Sequence, residues 1–185
     1  MRDIFLEREF DPGLNVDDVC QMAIDTAWCF DTYNVEWHGS LLAAGGRTLV
    51  CCFRAPDAES ARQALRAARA DVKALWVGTI HDAPNRVTPN VLVQRTFTQP
   101  VELEAIQAIE DAGASCLQTH EVEFARTFFS LDRKRMLCLY RAPDAEAVRV
   151  AQREAGMPLD TVWAFTRVGA DSVAQHAGTP VRAPS

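Results

Sequence analysis

The sequence predicts an α+β fold of two βαββαβ units packed sheet to sheet as an intrachain pseudo-dimer. Three observations predict it. The 185-residue chain repeats itself without a gap at an offset of 87 positions, so that Arg54-Ala55-Pro56-Asp57-Ala58-Glu59 returns as Arg141-Ala142-Pro143-Asp144-Ala145-Glu146. Each copy alternates between strand-like and helix-like hydrophobic periods in the order strand, helix, strand, strand, helix, strand. The third strand of each copy is apolar on both faces, which demands cover on both sides of its sheet.

The elements of the first copy follow in order. Residues 4–10 alternate like a strand, and Pro12-Gly13 supplies a turn. Asn15 is placed to cap a helix whose first turn carries Asp17 and Asp18, where the positive helix end favours acids. Its apolar positions Val16, Val19, Met22, Ala23, Ala27 and Phe30 recur at spacings of three and four, and Leu103, Ile106, Ile109 and Leu117 match in the second copy. Residues 35–41 and 48–53 are strand-like, with Gly45-Gly46 between them as a two-residue hairpin signal. Pro56 suits the first position of a second helix, with Asp57 and Glu59 near its start. Residues 75–80 and 161–168 make the last strand of each copy, and Gly156 marks the end of the second helix in copy two. This order is the split βαβ, ferredoxin-like pattern, with both helices on one side of an antiparallel sheet. Leu49, Cys51 and Phe53 lie on one face of the third strand and Val50 and Cys52 on the other. The economical cover for the second face is the other copy, an arrangement like a dimeric α/β barrel.

The expected organisation is repeat 1 at residues 1–80, a Pro- and Asn-containing linker at 81–89, repeat 2 at 90–168, and a tail at 169–185 that reads as a disordered end or an arm. Hydrophobic residues at 48% and charged residues at 24% demand a packed core and exclude wholesale disorder. Nineteen Lys and Arg stand against 25 Asp and Glu, giving a net charge of -6 that leaves little for counterion release on nucleic acid. No stretch approaches the roughly 20 apolar residues of a membrane span, and the first residues lack the pattern of a secretory signal. The expected address is cytoplasmic, without a membrane or nucleic-acid partner. Six cysteines without a C-x-x-C pair read as reduced thiols.

Cys29 late in the first helix, Val35-Glu36-Trp37 opening the second strand, and the run from Cys51 to Glu59 form a motif that copy two repeats from Cys116, Val122-Glu123-Phe124 and Cys138 onward. On this motif the chain resembles a bacterial family of small ferredoxin-like proteins named for nickel-binding members, here as a tandem duplication. The resemblance covers nearly the whole chain and implies binding of nickel or another divalent transition metal. The chain departs from relatives that carry a His in the second helix, where it has Ala64 and Ala151.

Two candidate sites follow from the residues. A two-residue turn at Gly45-Gly46 sets Ser40 opposite Cys51 and gathers Glu36, His38 and Cys51 on one face, a carboxylate, imidazole and thiol set suited to a borderline divalent ion. Copy two offers Glu123, Ala125 and Cys138, so such a site is asymmetric. Arg8, Arg95 and Glu123, with Glu36, are polar anchors for a small molecule held between the two sheets, and this binding or enzymatic barrel is the alternative function. A structural or assembly role is a third reading. No nucleophile with its base and no phosphate loop is visible, so no catalytic residue is assigned. The expected partners are a metal ion or small molecule, with the chain as a monomeric pseudo-dimer or a homodimer.

Overall fold

The computed structural model describes residues 1–178. The chain forms two compact units, one of Met1–Trp76 with residues 166–178 and one of Val77–Phe165. Unit 1 contains β1 (Arg2–Glu9), α1 (Val16–Thr32), β2 (Glu36–Ala43), β3 (Thr48–Ala55) and α2 (Ala58–Ala67), with the first residues of β4 (Ala74–Asp82), the last residues of β8 (Thr161–Val168) and α6 (Ala170–Gly178). Unit 2 contains the rest of β4 and β8 with β5 (Val91–Thr96), α3 (Leu103–Ala112), α4 (Ala114–Thr119), β6 (Glu123–Ser130), β7 (Arg135–Arg141) and α5 (Ala145–Glu154). In unit 2 the antiparallel order β8-β5-β7-β6 is that of a ferredoxin-like sheet, and β1-β3-β2 in unit 1 follows the same order. The α+β class and its two ferredoxin-like units are those the sequence predicts.

Local chemistry accounts for the elements. The Asn15 side chain accepts from the Asp18 backbone N–H at 2.9 Å while Asp18 accepts from the Asn15 N–H at 2.8 Å, a capping box that satisfies two otherwise free donors of α1. Asp57 and Asp144 cap α2 and α5 by accepting from the N–H groups of Ser60 and Ala147. Pro56 stands just before the cap rather than inside the helix, because the Asp57 carboxylate claims the first turn. Left-handed backbone recurs 87 positions apart, at Asn34 and Glu121, Gly46 and Arg133, and Arg69 and Gly156. Gly46 is needed where it stands, since a Cβ there would lie 2.1 Å from the Leu14 carbonyl oxygen. The hairpin register is the expected one, with Ser40 opposite Cys51 and Leu42 opposite Leu49.

Both faces of the third strands are buried. On the helix side of unit 1 lie Ile4, Leu6, Leu49, Cys51 and Phe53, and on the other face Phe5 and Val50. Also buried, Trp76 donates its indole N–H to Glu7 at 2.8 Å and stacks at 4.5 Å from Phe5. Unit 2 buries Val91, Val93, Met136, Cys138, Tyr140, Val148 and Ala151 in one cluster, and Leu92, Leu137 and Leu139 on the opposite face.

The compact units differ in extent from the repeats expected at residues 1–80 and 90–168, because β4 runs through residues 81 and 82 while Gly78 to Asp82 pair with β6, and the last residues of β8 run beside β2. Two expectations are corrected. Residues 170–178, expected to lack a regular period, form α6, which packs on α1 and places His176 Nδ1 3.2 Å from Asp17. The rest of that expected tail lies outside the described residues. The first helix of copy two is two pieces, α3 and α4, that meet at Gly113. A Cβ on Gly113 would lie 2.3 Å from that of Ala155, so glycine there lets the chain press onto the segment that ends α5.

Candidate functional site

The residues expected to hold a metal do not converge. Glu36 and His38 are neighbours, with Nε2 3.3 Å from Oε2, and both side chains are exposed. Cys51 is instead buried beneath the helices of unit 1. The expected register holds from Gly39 to Leu42, but a bulge between Trp37 and Gly39 makes His38 the extra residue and breaks the alternation on which the shared face depended. Trp37, paired with Phe53, takes the side that Cys51 and Ser40 occupy, and Glu36 pairs with Arg54. Copy two repeats the bulge between Phe124 and Arg126. Among the described residues, no group of three or more His, Cys, Asp or Glu side chains is arranged to hold a metal ion. The expected three-donor set is therefore not assembled, and of its members only Glu36 and His38 are adjacent.

The expected anchors are redistributed as well. Arg8 and Arg95 each lie on the helix side of their own unit, and Glu123 is exposed on β6, paired across the strands with Arg141. The alternation of β1 and β5 sets this: Arg8 shares the face of Leu6, and Arg95 that of Val93.

Around Arg8 the structure has a half-open cavity of about 340 Å³, bounded by the sheet of unit 1 and by α1 and α2. Leu6 and Arg8 from β1, Cys51 and Phe53 from β3, Met22 and Phe30 from α1 are among its walls. The α1 stripe is only partly covered as a result, with Met22, Ala23, Thr26 and Phe30 half-buried and Ala27 exposed. Arg8, 9% exposed, donates from Nε to the Asp71 carbonyl at 2.9 Å and from Nη1 to the Met22 sulfur at 2.8 Å, and its guanidinium lies 4.7 Å from the Phe10 ring centre. Burial lowers its pKa, against the pull of Cys51 and Asp71. Burial also pushes the Cys51 thiol up to about 11, although a Ser40 hydrogen bond and Arg8 act in the other direction. The Ser40 hydroxyl accepts from the Trp37 indole N–H at 3.0 Å. Glu36 and Asp31, both exposed, add carboxylates to the lining.

The equivalent positions of unit 2 close on one another. Arg95, 1% exposed, donates to the Pro158 carbonyl at 2.7 Å, to Gln152 Oε1 at 2.6 Å and to the Tyr140 hydroxyl at 3.4 Å; that hydroxyl donates to Glu110 at 2.7 Å. Pro158 occupies the place of Asp71, so the backbone anchor is common to both units. The acceptors are not: Phe53 stands for Tyr140, Leu65 for Gln152 and Ala23 for Glu110. Thr26 and Ala68 line the cavity where Gly113 and Ala155 come together in unit 2. Burial raises the pKa of Glu110 despite the Tyr140 hydrogen bond and the Arg95 charge. Sequence reasoning missed this site, although its signal lay in the positions where the aligned copies differ.

Residues 92–164, which run from β5 into β8, match the family described as nickel responsive protein SCO4226-like. No curated protein matches the chain. Among solved structures, the chain is similar to SCO4226 from Streptomyces coelicolor A3(2), with 18% identity over 40% of this chain and 90% of that one and a TM-score of 0.36. It is similar to a putative chlorite dismutase, TA0507, with 10% identity over 94% of this chain and 96% of that one and a TM-score of 0.53. A heme-binding protein from Thermus thermophilus aligns with 10% identity over 96% of this chain and 95% of that one, with a TM-score of 0.49. The likeness to TA0507 is one of fold.

Proposed function

We propose that the protein is a tandem duplication of a ferredoxin-like unit that acts as a binding protein, with unit 1 holding a small molecule and unit 2 as its closed structural counterpart. The observation that carries this reading is the cavity beside Arg8, set against the Arg95–Gln152 and Tyr140–Glu110 contacts at the same positions of unit 2, which leave only Arg95 Nη1 and Gln152 Nε2 without a partner among the buried side-chain atoms of the described residues. A cavity of about 340 Å³ falls within the range of small-molecule sites, and its mainly apolar wall with a few polar groups is the usual composition. No turnover is assigned: a thiol held near 11 by burial is a poor nucleophile, and Cys51 has no base beside it in the hydrogen bonds that surround it. Calorimetric titration of the full chain with 1-octanol tests the reading. One site per chain is expected, lost when Ala27→Trp fills the space; absence of binding of 1-octanol and of its eight-carbon anionic and cationic analogues to the unmodified chain overturns it.

A second reading, binding of nickel or another divalent metal, draws support from the nickel-responsive family matched by residues 92–164 and from the adjacency of Glu36 and His38. Two protein donors make a weak site, and its affinity falls in acid because the imidazole must be neutral. Titration with nickel is expected to give binding that His38→Ala removes. No heat at about 100 µM metal eliminates this reading.

A further inference from the structure

We infer that the ligand of the unit 1 cavity is a small aliphatic monocarboxylate, its carboxylate on Arg8 and its chain along the apolar wall between α1 and the sheet. The inference rests on unit 1 being the ligand-holding unit and specifies what it holds. A guanidinium offers five N–H donors. At Arg8 one goes to a carbonyl and one to a thioether, a weak acceptor, and among the described residues no carboxylate comes within 4.0 Å. A cation so enclosed is stabilised by an anion that can accept in parallel, and carboxylate matches the fork of arginine best.

Unit 2 shows the same arginine with side-chain acceptors supplied by the protein to Nη2, Nη1 remaining without a partner. Gln152, Tyr140 and the carboxyl group of Glu110 gather around Arg95, and each has an apolar replacement in unit 1. Losing the two side-chain acceptors, Gln152 and Tyr140, and the Glu110 carboxyl group behind them while keeping the arginine leaves a space that an incoming carboxylate enters. Leu6, Val19, Phe30, Phe53 and Leu65 require the remainder of the ligand to be apolar. The volume allows roughly ten non-hydrogen atoms at about 30 Å³ for each water-sized group. Glu36 and Asp31 in the lining disfavour a second negative charge, which sets a monocarboxylate above a dicarboxylate.

Calorimetry on the full chain with octanoate, 1-octanol and octylammonium tests the inference. Octanoate is expected to bind at one site at least about tenfold more tightly than octanol, with octylammonium weakest. Arg8→Gln is expected to erase the preference for octanoate over octanol. Ala23→Glu, which installs a carboxylate where unit 2 has Glu110, is expected to abolish octanoate binding and raise the melting temperature. Circular dichroism establishes that each variant is folded, and Ala23→Glu decides the matter should Arg8→Gln not fold. Equal affinities for octanoate and octanol overturn the carboxylate while leaving the cavity reading intact. Binding of none of the three probes overturns both, and octanoate binding unchanged in Ala23→Glu overturns the placement on Arg8.

Discussion

Arg8 and Arg95 occupy equivalent positions and share a backbone acceptor, yet their surroundings differ in what each needs. Arg95 is held in a low-dielectric network in which each hydrogen bond depends on the next. Tyr140→Phe, which copies the residue of unit 1 into unit 2, leaves Glu110 and Arg95 without their shared hydroxyl and is expected to cost about 1–3 kcal/mol, measured by urea denaturation. The same network carries a pH signature. Burial raises the folded pKa of Glu110, so between the unfolded value, about 4.3, and the raised folded value, the folded chain keeps a proton that the unfolded chain releases. The contribution of Glu110 is therefore unpenalised below that window and becomes less favourable as pH rises through it. Relative to Glu110→Gln, the unmodified protein is expected to lose stability from about pH 4 upward, and a constant difference across that range contradicts the assignment. None of this was legible from Glu110 alone, since an acid in an apolar stripe reads as solvated until the facing Tyr140 and Arg95 are in place.

At the scale of elements, the same helix position carries different residues in the two units. Gly113 brings the α3 and α4 segments against Ala155, whereas Thr26 carries a side chain at the corresponding point of α1 and its hydroxyl bonds the Met22 carbonyl. Gly113→Ala is expected to destabilise unit 2 by about 1–3 kcal/mol through overpacking, read as a lower midpoint of thermal unfolding; an unchanged midpoint contradicts the close approach. Caps, turns and the hairpin register were legible, because Asn15, Asp57, Asp144 and Gly46 act through local hydrogen bonds and backbone freedom. The bulge at His38 was not, because the sequence pattern of an extra residue in a strand is that of an ordinary alternation until its partner strand is present. That single residue removed Cys51 from the set formed with Glu36 and His38. The break at Gly113 was hidden for a similar reason, since one glycine in an apolar periodic run is compatible with an unbroken helix.

For the whole molecule, the gap-free offset disclosed two ferredoxin-like units, and the apolar third strands disclosed that both faces of each sheet are buried. The compact units nonetheless cut across β4 and β8, because strand pairing follows edges that the sequence does not label. Function was less legible than fold. Repetition drew attention to residues the copies share, such as Arg8 with Arg95, whereas the cavity depends on residues they do not share. Ala23, Phe53 and Leu65 stand where unit 2 has Glu110, Tyr140 and Gln152 in hydrogen bonds. The division of labour between the units is tested most directly by assigned NMR spectra of the full chain during titration with octanoate. Shifts concentrated at Leu6, Met22, Cys51 and Phe53, with their counterparts Val93, Ile109, Cys138 and Tyr140 unmoved, are the predicted result. Equal shifts at both sets, or none at the first, contradict it.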